Sequence, residues 1–445
     1  MANKKVLLIS PKNPLGEGSI IPPLGLATNA SYIPDRYDVL IVNENSREAH
    51  YEGADLAAIT VNTITARRSY QLCEEFREKG VPVVLGGIHP SAMPEEAGIY
   101  ADAVIVGNGE NVWEELLGDF ERGRLKKIYR PEIFDLTESK VPRRDLFNGR
   151  YLVDSLQTSR GCPFDCEFCS VTRFYGGKYR YKPLDIVRKE LESLRTKNVF
   201  LADDNILGIG KKAEERAIKL FELLGEHGLH WIGQASINIA DNSRLLKLAQ
   251  ESGAKCFYIG FESLNEDFLK AANKRVNLKK GVRSYKDVIK RIHDHGIAVL
   301  GSFIYGTDFD TRDGLLKLGD YISKSGIDAV SVKPLTPFPG TRLYERLKNE
   351  GRLLNDRYWL EDPYPLFTFK PRNLSLQELI ETSLDFVKAY NPPSSIGYFI
   401  RSLWLTKSLK ASFLALILNV SDNHTYKKFS KIHMHTIARR FGIDD

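Results

Sequence analysis

The chain has 445 residues, 42% of them hydrophobic, with 63 Lys and Arg against 57 Asp and Glu for a net charge of +6. That length exceeds one ordinary domain and suits two or three. So small a charge gives no case for nucleic acid, and the start MANKKVLLIS lacks the long apolar run of a signal peptide, so a cytoplasmic location is expected.

In chain order, short apolar runs rich in β-branched residues fall at 6–9, 39–42, 56–59, 81–85 and 103–106. Longer helical stretches separate several of them, which predicts a doubly wound, Rossmann-like parallel α/β sheet over residues 1–140. Small and polar residues gather where these strands end. Thr60, Asn62 and Thr63 follow the third strand, Gly86, Gly87, His89 and Pro90 the fourth, and Gly107, Gly109 and Glu110 the fifth. Glycines there let a ligand approach the carboxyl edge of a sheet. No Gly-x-Gly-x-x-Gly follows the first strand, where the sequence reads PKNPLGEG. Cys73 shares an apolar helical stripe with Leu72 and is expected to be a small core residue. His50 lies in Glu-Ala-His-Tyr-Glu-Gly, a loop after the second strand, and reads as a surface histidine.

The periodic pattern breaks near 129–144, in RPEIFDLTESKVPRRD. A strand is then expected over 152–159, followed by Arg160-Gly161 and three cysteines in eight residues: Cys162, Cys166 and Cys169. A chain without secretory context and with only two further cysteines makes disulfides a poor reading. Three clustered thiolates suit a soft metal centre. Zinc would need a fourth ligand from elsewhere, such as a histidine. A four-iron cluster held by three cysteines would instead leave one iron open to a small molecule. Pro183 opens a helix, so the cysteine loop follows the first strand of a βα unit, on the side where such barrels place active sites. Cys256 starts a later strand and reads as a buried thiol.

Cys-x3-Cys-x2-Cys with Phe168 before the third cysteine resembles the radical S-adenosylmethionine enzymes. Later segments extend the resemblance over about 150–345: FLADDN, YIGFES, GSFIYG and PLTPFPGT, in order. It implies a partial (β/α)6 TIM-like barrel over 150–350 with a [4Fe-4S] cluster on Cys162, Cys166 and Cys169. S-adenosylmethionine would lie on the open iron, with Phe168, Asp203, Asp204, Asn205, Gln234, Glu262 and Ser302 as its candidate contacts. Upstream, PPLGLA, TVNTITA, GGIHPSAMPEEA and VGNGE resemble the cobalamin-binding domain of class B members. Thr60, Asn62, Thr63, Gly86, Gly87, His89, Pro90, Gly107, Gly109 and Glu110 are then the candidate cobalamin contacts, with His89 shaping the pocket rather than ligating cobalt.

Residues 351–445 are expected to form a mainly helical domain that covers the active site or contacts substrate or membrane. An amphipathic helix is expected over 375–390. The apolar stretch 404–420 is interrupted by Lys407 and Lys410 and is too short to span a bilayer. Both a helical cap over the barrel mouth and peripheral membrane docking through 404–420 and the basic, apolar tail 426–441 suit this composition. The region resembles the extra domain of hopanoid-type methylases.

The resemblance implies reductive cleavage of S-adenosylmethionine to a 5′-deoxyadenosyl radical, fed by a flavodoxin- or ferredoxin-type reductant. It implies methylation of an unactivated carbon of a small-molecule or lipid substrate. Cyclisation, ring rearrangement or carbon–carbon coupling with the same cofactors is the sibling alternative, and a cobalamin- or metal-binding sensor without turnover is the alternative of another class.

Overall fold

The computed structural model describes residues 3–16, 21–149, 151–390 and 395–419. Six parallel strands form the N-terminal sheet: β1 (Lys4–Ser10), β2 (Tyr37–Asn43), β3 (Leu56–Thr60), β4 (Val83–Gly86), β5 (Ala103–Ile105) and β6 (Ile128–Tyr129). Their order is β2-β1-β3-β4-β5-β6. The order reverses beside β1, which opens a crevice at the carboxyl edge of the sheet. Both faces are covered. Leu7, Ile9, Ala57, Ile59 and Val83 pack into one core, and Val6, Leu8, Leu56, Ala58 and Val84 into the other. Two-sided burial explains why these strands read as continuous apolar runs rather than alternating ones. Strand β6 lies at the start of the stretch expected to be linker. With two residues it is too short to leave a pattern.

Six further parallel strands form the second sheet: β7 (Asp154–Leu156), β10 (Asn198–Leu201), β11 (His230–Ala235), β12 (Ala254–Glu262), β13 (Ala298–Tyr305) and β14 (Ala329–Pro334). They run in sequence order with β7 and β14 at the edges, which is an open six-stranded barrel. The first of them is shorter than the 152–159 expected, and Leu152 is 71% exposed. Between β7 and β10, β8 (Ser159–Arg160) and β9 (Arg180–Tyr181) pair antiparallel and close the base of the cysteine loop. Cys73 and Cys256 are fully buried and His50 is exposed, as read from sequence.

The region after residue 350 does not behave as one helical domain. A strap with a short 3-10 turn at Tyr358–Leu360 crosses back to the N-terminal sheet, where Tyr358 and Trp359 are fully buried in the same core as Tyr70, Leu72 and Phe76. The helix Leu376–Tyr390 packs on the barrel helix Arg312–Lys324, with Phe386 and Tyr390 joining the barrel core. The helix Ser395–Thr406 and the helical stretch 409–419 lie at the amino ends of the barrel strands. Ala411 packs on Cys256 and Ala298, and the Asn419 side chain donates to the Asp328 carbonyl at 2.7 Å. The cysteines sit at the carboxyl ends, so these helices close the end of the barrel opposite the active site. The expectation of a cover over the mouth is corrected for them. Residues 426–441 lie outside the described residues.

Candidate active site at the junction of sheet and barrel

The cysteine loop begins with a close approach. Gly161 has φ +85°, and a Cβ there would stand 2.2 Å from the Lys178 carbonyl oxygen across the hairpin. Only glycine fits, so the turn into Cys162 is fixed by the β8–β9 pairing. Farther along, the Glu167 amide donates to the Ala272 carbonyl at 3.0 Å, and the Asn273 side chain donates to the Asp165 carbonyl at 2.6 Å. Arg346 grips the Glu167 carboxylate with two bonds, at 2.8 and 3.2 Å. The loop therefore rests on the segment after β12 and on the helix Arg342–Asn349.

Burial pushes all three thiols up, Cys166 to about 11. Such thiols become ligands when a metal replaces the proton. Among the described residues no three His, Cys, Asp or Glu side chains converge to hold a single metal ion. Zinc asks for ligands that meet at one point. A four-iron cluster asks less convergence, because each thiolate binds a different iron. Opposite the loop, Lys274 donates to Glu262 at 2.6 Å. Burial opposes its charge, but the Glu262 carboxylate and the sulfurs of Cys166 and Cys162 outweigh burial and hold the ammonium above its ordinary range. Glu262 itself adopts φ +66° at the end of β12, a strained backbone for a non-glycine residue.

The candidate contacts for S-adenosylmethionine divide. Gln234, Glu262 and Ser302 stand at the carboxyl halves of β11, β12 and β13, and the Ser302 hydroxyl lies 3.3 Å from that of Tyr258. Asp204 accepts from the Gly161 amide at 3.0 Å, and burial raises its carboxyl to about 6. Asp203 is corrected to a structural role. It is fully buried, and its oxygens are taken by the Thr158 amide, the Thr158 hydroxyl and the Ser159 amide at 2.5, 2.6 and 3.0 Å. Asn205 is likewise engaged, donating to Ser236 at 2.6 Å and accepting from the Leu207 amide at 3.1 Å. Phe168 turns into an apolar cluster with Phe268, Leu335 and Leu343.

Beside the loop opens a cleft of about 370 Å³. The sheet edge supplies Thr60, Asn62, Gly86, Gly87, Gly107, Gly109 and Glu110, and the barrel side supplies Gln157, Arg160, Val171, Phe174, Tyr175 and Asp204. Gly107 has φ +96° with nothing within 4 Å of where a Cβ would stand, so its backbone faces open space. Arg160 bonds Gln157 at 2.8 Å and pairs with Glu110, which ties the residue two before Cys162 to the sheet edge. Thr63, His89 and Pro90 do not line the cleft. Ile88–Ala92 is helical, so Ile88 faces the cleft while the next side chain is rotated about 100° away. His89 is fully buried behind it, 3.4 Å from the Thr63 hydroxyl and 3.2 Å from that of Tyr70. The sequence reading missed Arg160, Tyr175 and Lys274. Arg160 had a signal in its place beside the cysteines, whereas Lys274 is one lysine among many.

Residues 156–322 match the radical SAM superfamily and residues 18–117 the B12 binding domain. The chain is 32% identical over 409 residues to the bacteriochlorophyllide d C-12(1)-methyltransferase of Chlorobaculum tepidum, covering 87% of this chain and 86% of that one. The chain belongs to the cobalamin-dependent radical S-adenosylmethionine enzymes. Another relative is the hopanoid C-2 methylase of Rhodopseudomonas palustris, 30% identical over 76% of this chain and 66% of that one. Among solved structures, the methyltransferase TsrM of Kitasatospora setae, with cobalamin and [4Fe-4S] cluster bound, superposes with TM-score 0.65 at 16% identity, over 78% of each chain. OxsB with aqua-cobalamin reaches 0.67 at 15% identity, over 96% of this chain and 75% of that one. These two likenesses concern the fold. The cofactors of such an enzyme are the cluster, S-adenosylmethionine and cobalamin, and the residues present fit them: three loop thiols for the iron, and a glycine-edged cleft for the corrin.

Proposed function

We propose that this enzyme methylates an unactivated carbon of an amphipathic polycyclic substrate, a tetrapyrrole or a polycyclic lipid. The observation that carries this reading is the shared wall. The helix Ser170–Phe174 directly after Cys169 lines the same cleft as the sheet-edge glycines, so the radical source and the corrin serve one cavity. Relatives named as methylating bacteriochlorophyllide and hopanoids support the substrate class. When bound, the cluster with S-adenosylmethionine supplies a carbon radical and cobalamin supplies a methyl donor, chemistry that belongs to the cofactors. The chain's own part is placement. The Arg346 and Asn273 contacts immobilise the cysteine loop, and Arg160–Glu110 sets the spacing between loop and sheet edge. Val171, Phe174 and Tyr175 would give a corrin held in the cleft a largely apolar wall. A flavodoxin- or ferredoxin-type protein supplies the electrons.

The test is anaerobic reconstitution with iron, sulfide and cobalamin, then incubation with methyl-labelled S-adenosylmethionine, reductant and candidate tetrapyrrole or hopanoid acceptors. A product heavier by one labelled methyl group and lighter by one hydrogen is expected, together with 5′-deoxyadenosine. A product that has only lost hydrogens would move the assignment to cyclisation or coupling. Absence of S-adenosylmethionine cleavage altogether would leave a cobalamin-binding sensor.

A further inference from the structure

The last described helices turn an apolar face outward. Ile400, Trp404, Leu409, Phe413 and Ile417 are 61, 78, 64, 57 and 45% exposed. They are half of the large apolar side chains exposed among the described residues, gathered into 18 positions while the other five are scattered. Their spacing of four or five residues puts them on one side of each helix. The opposite side is buried: Ser402, Thr406, Ala411, Ser412, Ala415 and Asn419 turn inward. A surface helix normally shows the reverse polarity.

Charge says what covers this face. Over the described residues 395–419 the chain carries Arg401, Lys407 and Lys410 and no Asp or Glu, a net of +3. Lys407 and Lys410 flank the apolar stripe, and Lys286 lines the groove beside Trp404, where Lys290 is paired with Asp294 at 2.7 Å. A second copy of the same face would bring an equal positive charge. The complementary surface is apolar and anionic at once. We propose that this face docks the enzyme on the surface of an anionic lipid bilayer, with the five apolar side chains at the acyl boundary and the lysines among the headgroups. Among the described residues no helix is long and apolar enough to cross a membrane, so the contact is peripheral. The face lies at the amino ends of the barrel strands. The mouth therefore points away from the bilayer and stays open to a soluble reductant. This inference stands whatever the substrate is.

Full-length holoenzyme is mixed with phosphatidylcholine vesicles, with or without phosphatidylglycerol, and sedimented at low and high salt. Binding to the phosphatidylglycerol vesicles is expected, at least about tenfold weaker on phosphatidylcholine alone and weakened by salt. Trp404→Glu with Phe413→Glu should lower it at least about tenfold while iron and corrin content stay unchanged. Lys407→Glu with Lys410→Glu should remove most of the salt-sensitive part. Should the glutamate variant fail to fold, the unmodified enzyme still decides: its Trp404 fluorescence shifts to the blue on vesicle binding. No binding to anionic vesicles, equal binding to neutral ones, binding unmoved by the glutamates, or a stable dimer that buries Trp404 each overturns the proposal.

Discussion

Replacing Glu96 by Gln should loosen the strap that fastens the barrel to the cobalamin domain. Glu96 lies in the helix Pro94–Tyr100 with its side chain 7% exposed. One carboxylate oxygen accepts from the Tyr70 hydroxyl and the Trp359 indole, both at 2.8 Å, and the other from Arg357 at 2.8 Å. Every neighbour is a donor. A carboxylate satisfies them all, whereas the amide of Gln must aim two N–H bonds at an indole or a guanidinium. Burial alone would raise this carboxyl. The bonds from His89, Trp359 and Tyr70 and the charge of Arg357 overcome burial and bring it from 4.5 to about 2. At 1.36 kcal/mol per unit, that depression is worth about 3 kcal/mol.

Since the folded-state value is the lower one, this stability is complete above about pH 4.5 and disappears as pH falls towards 2. Hydrogen exchange at pH 7 reads it locally. Amides in 357–364 should open roughly 100-fold more often in Glu96→Gln, while barrel amides in β12 stay unchanged. In urea titrations the gap between the two proteins should narrow as pH drops below 4.5. Unchanged protection of the strap at pH 7, or a gap of constant size down to pH 3, would refute the reasoning.

Cys162→Ala should abolish reconstituted iron and S-adenosylmethionine cleavage while corrin binding, measured by its absorbance, stays intact. Gly107→Val should do the opposite: the positive φ and the side chain projecting into the cleft should cost at least about tenfold in cobalamin affinity with iron content retained. Lys274→Met removes a buried ammonium facing Cys166 and Cys162, so the midpoint potential of the cluster should become more negative in an EPR-monitored titration. Glu262→Gln alone, which removes the opposing negative charge, should move the potential the other way. Arg160→Met should destabilise by about 3–5 kcal/mol by thermal or urea unfolding, and adding Glu110→Gln should recover most of it.

The fold was legible where burial leaves a period. The N-terminal strands are covered on both faces, so their residues are uniformly apolar, and all five expected strands form. The cysteine loop was legible because three thiols within eight residues have few other uses. What escaped was long-range. Nothing local distinguishes Tyr358-Trp359 in a polar stretch from exposed linker aromatics, because their partners Tyr70, Phe76 and Glu96 lie more than 250 residues away. Asp203 and Asp204 are adjacent acids at one strand end, and sequence gave them one role. The backbone turns Asp203 into the amides of Thr158 and Ser159 and leaves Asp204 at the cleft. His89 failed for the same reason: one step along a helix moved it from the cleft to the core behind.

The cleft has walls from two domains, so its width depends on contacts that cross between them. Two fasteners do this in different ways. The strap joins Trp359 and Arg357 to Glu96 through a carboxylate whose depressed pKa shows a net stabilising environment. Arg160–Glu110 is nearly buried on both sides, where loss of hydration consumes most of the attraction, so its worth lies in position more than in stability. Its place supports that view. Arg160 belongs to the β8–β9 hairpin that closes the cysteine loop, and Glu110 follows the glycines at the cleft edge. A shift of the sheet against the barrel at this edge would strain the pair. The strap holds the two domains together, and the ion pair sets where they meet.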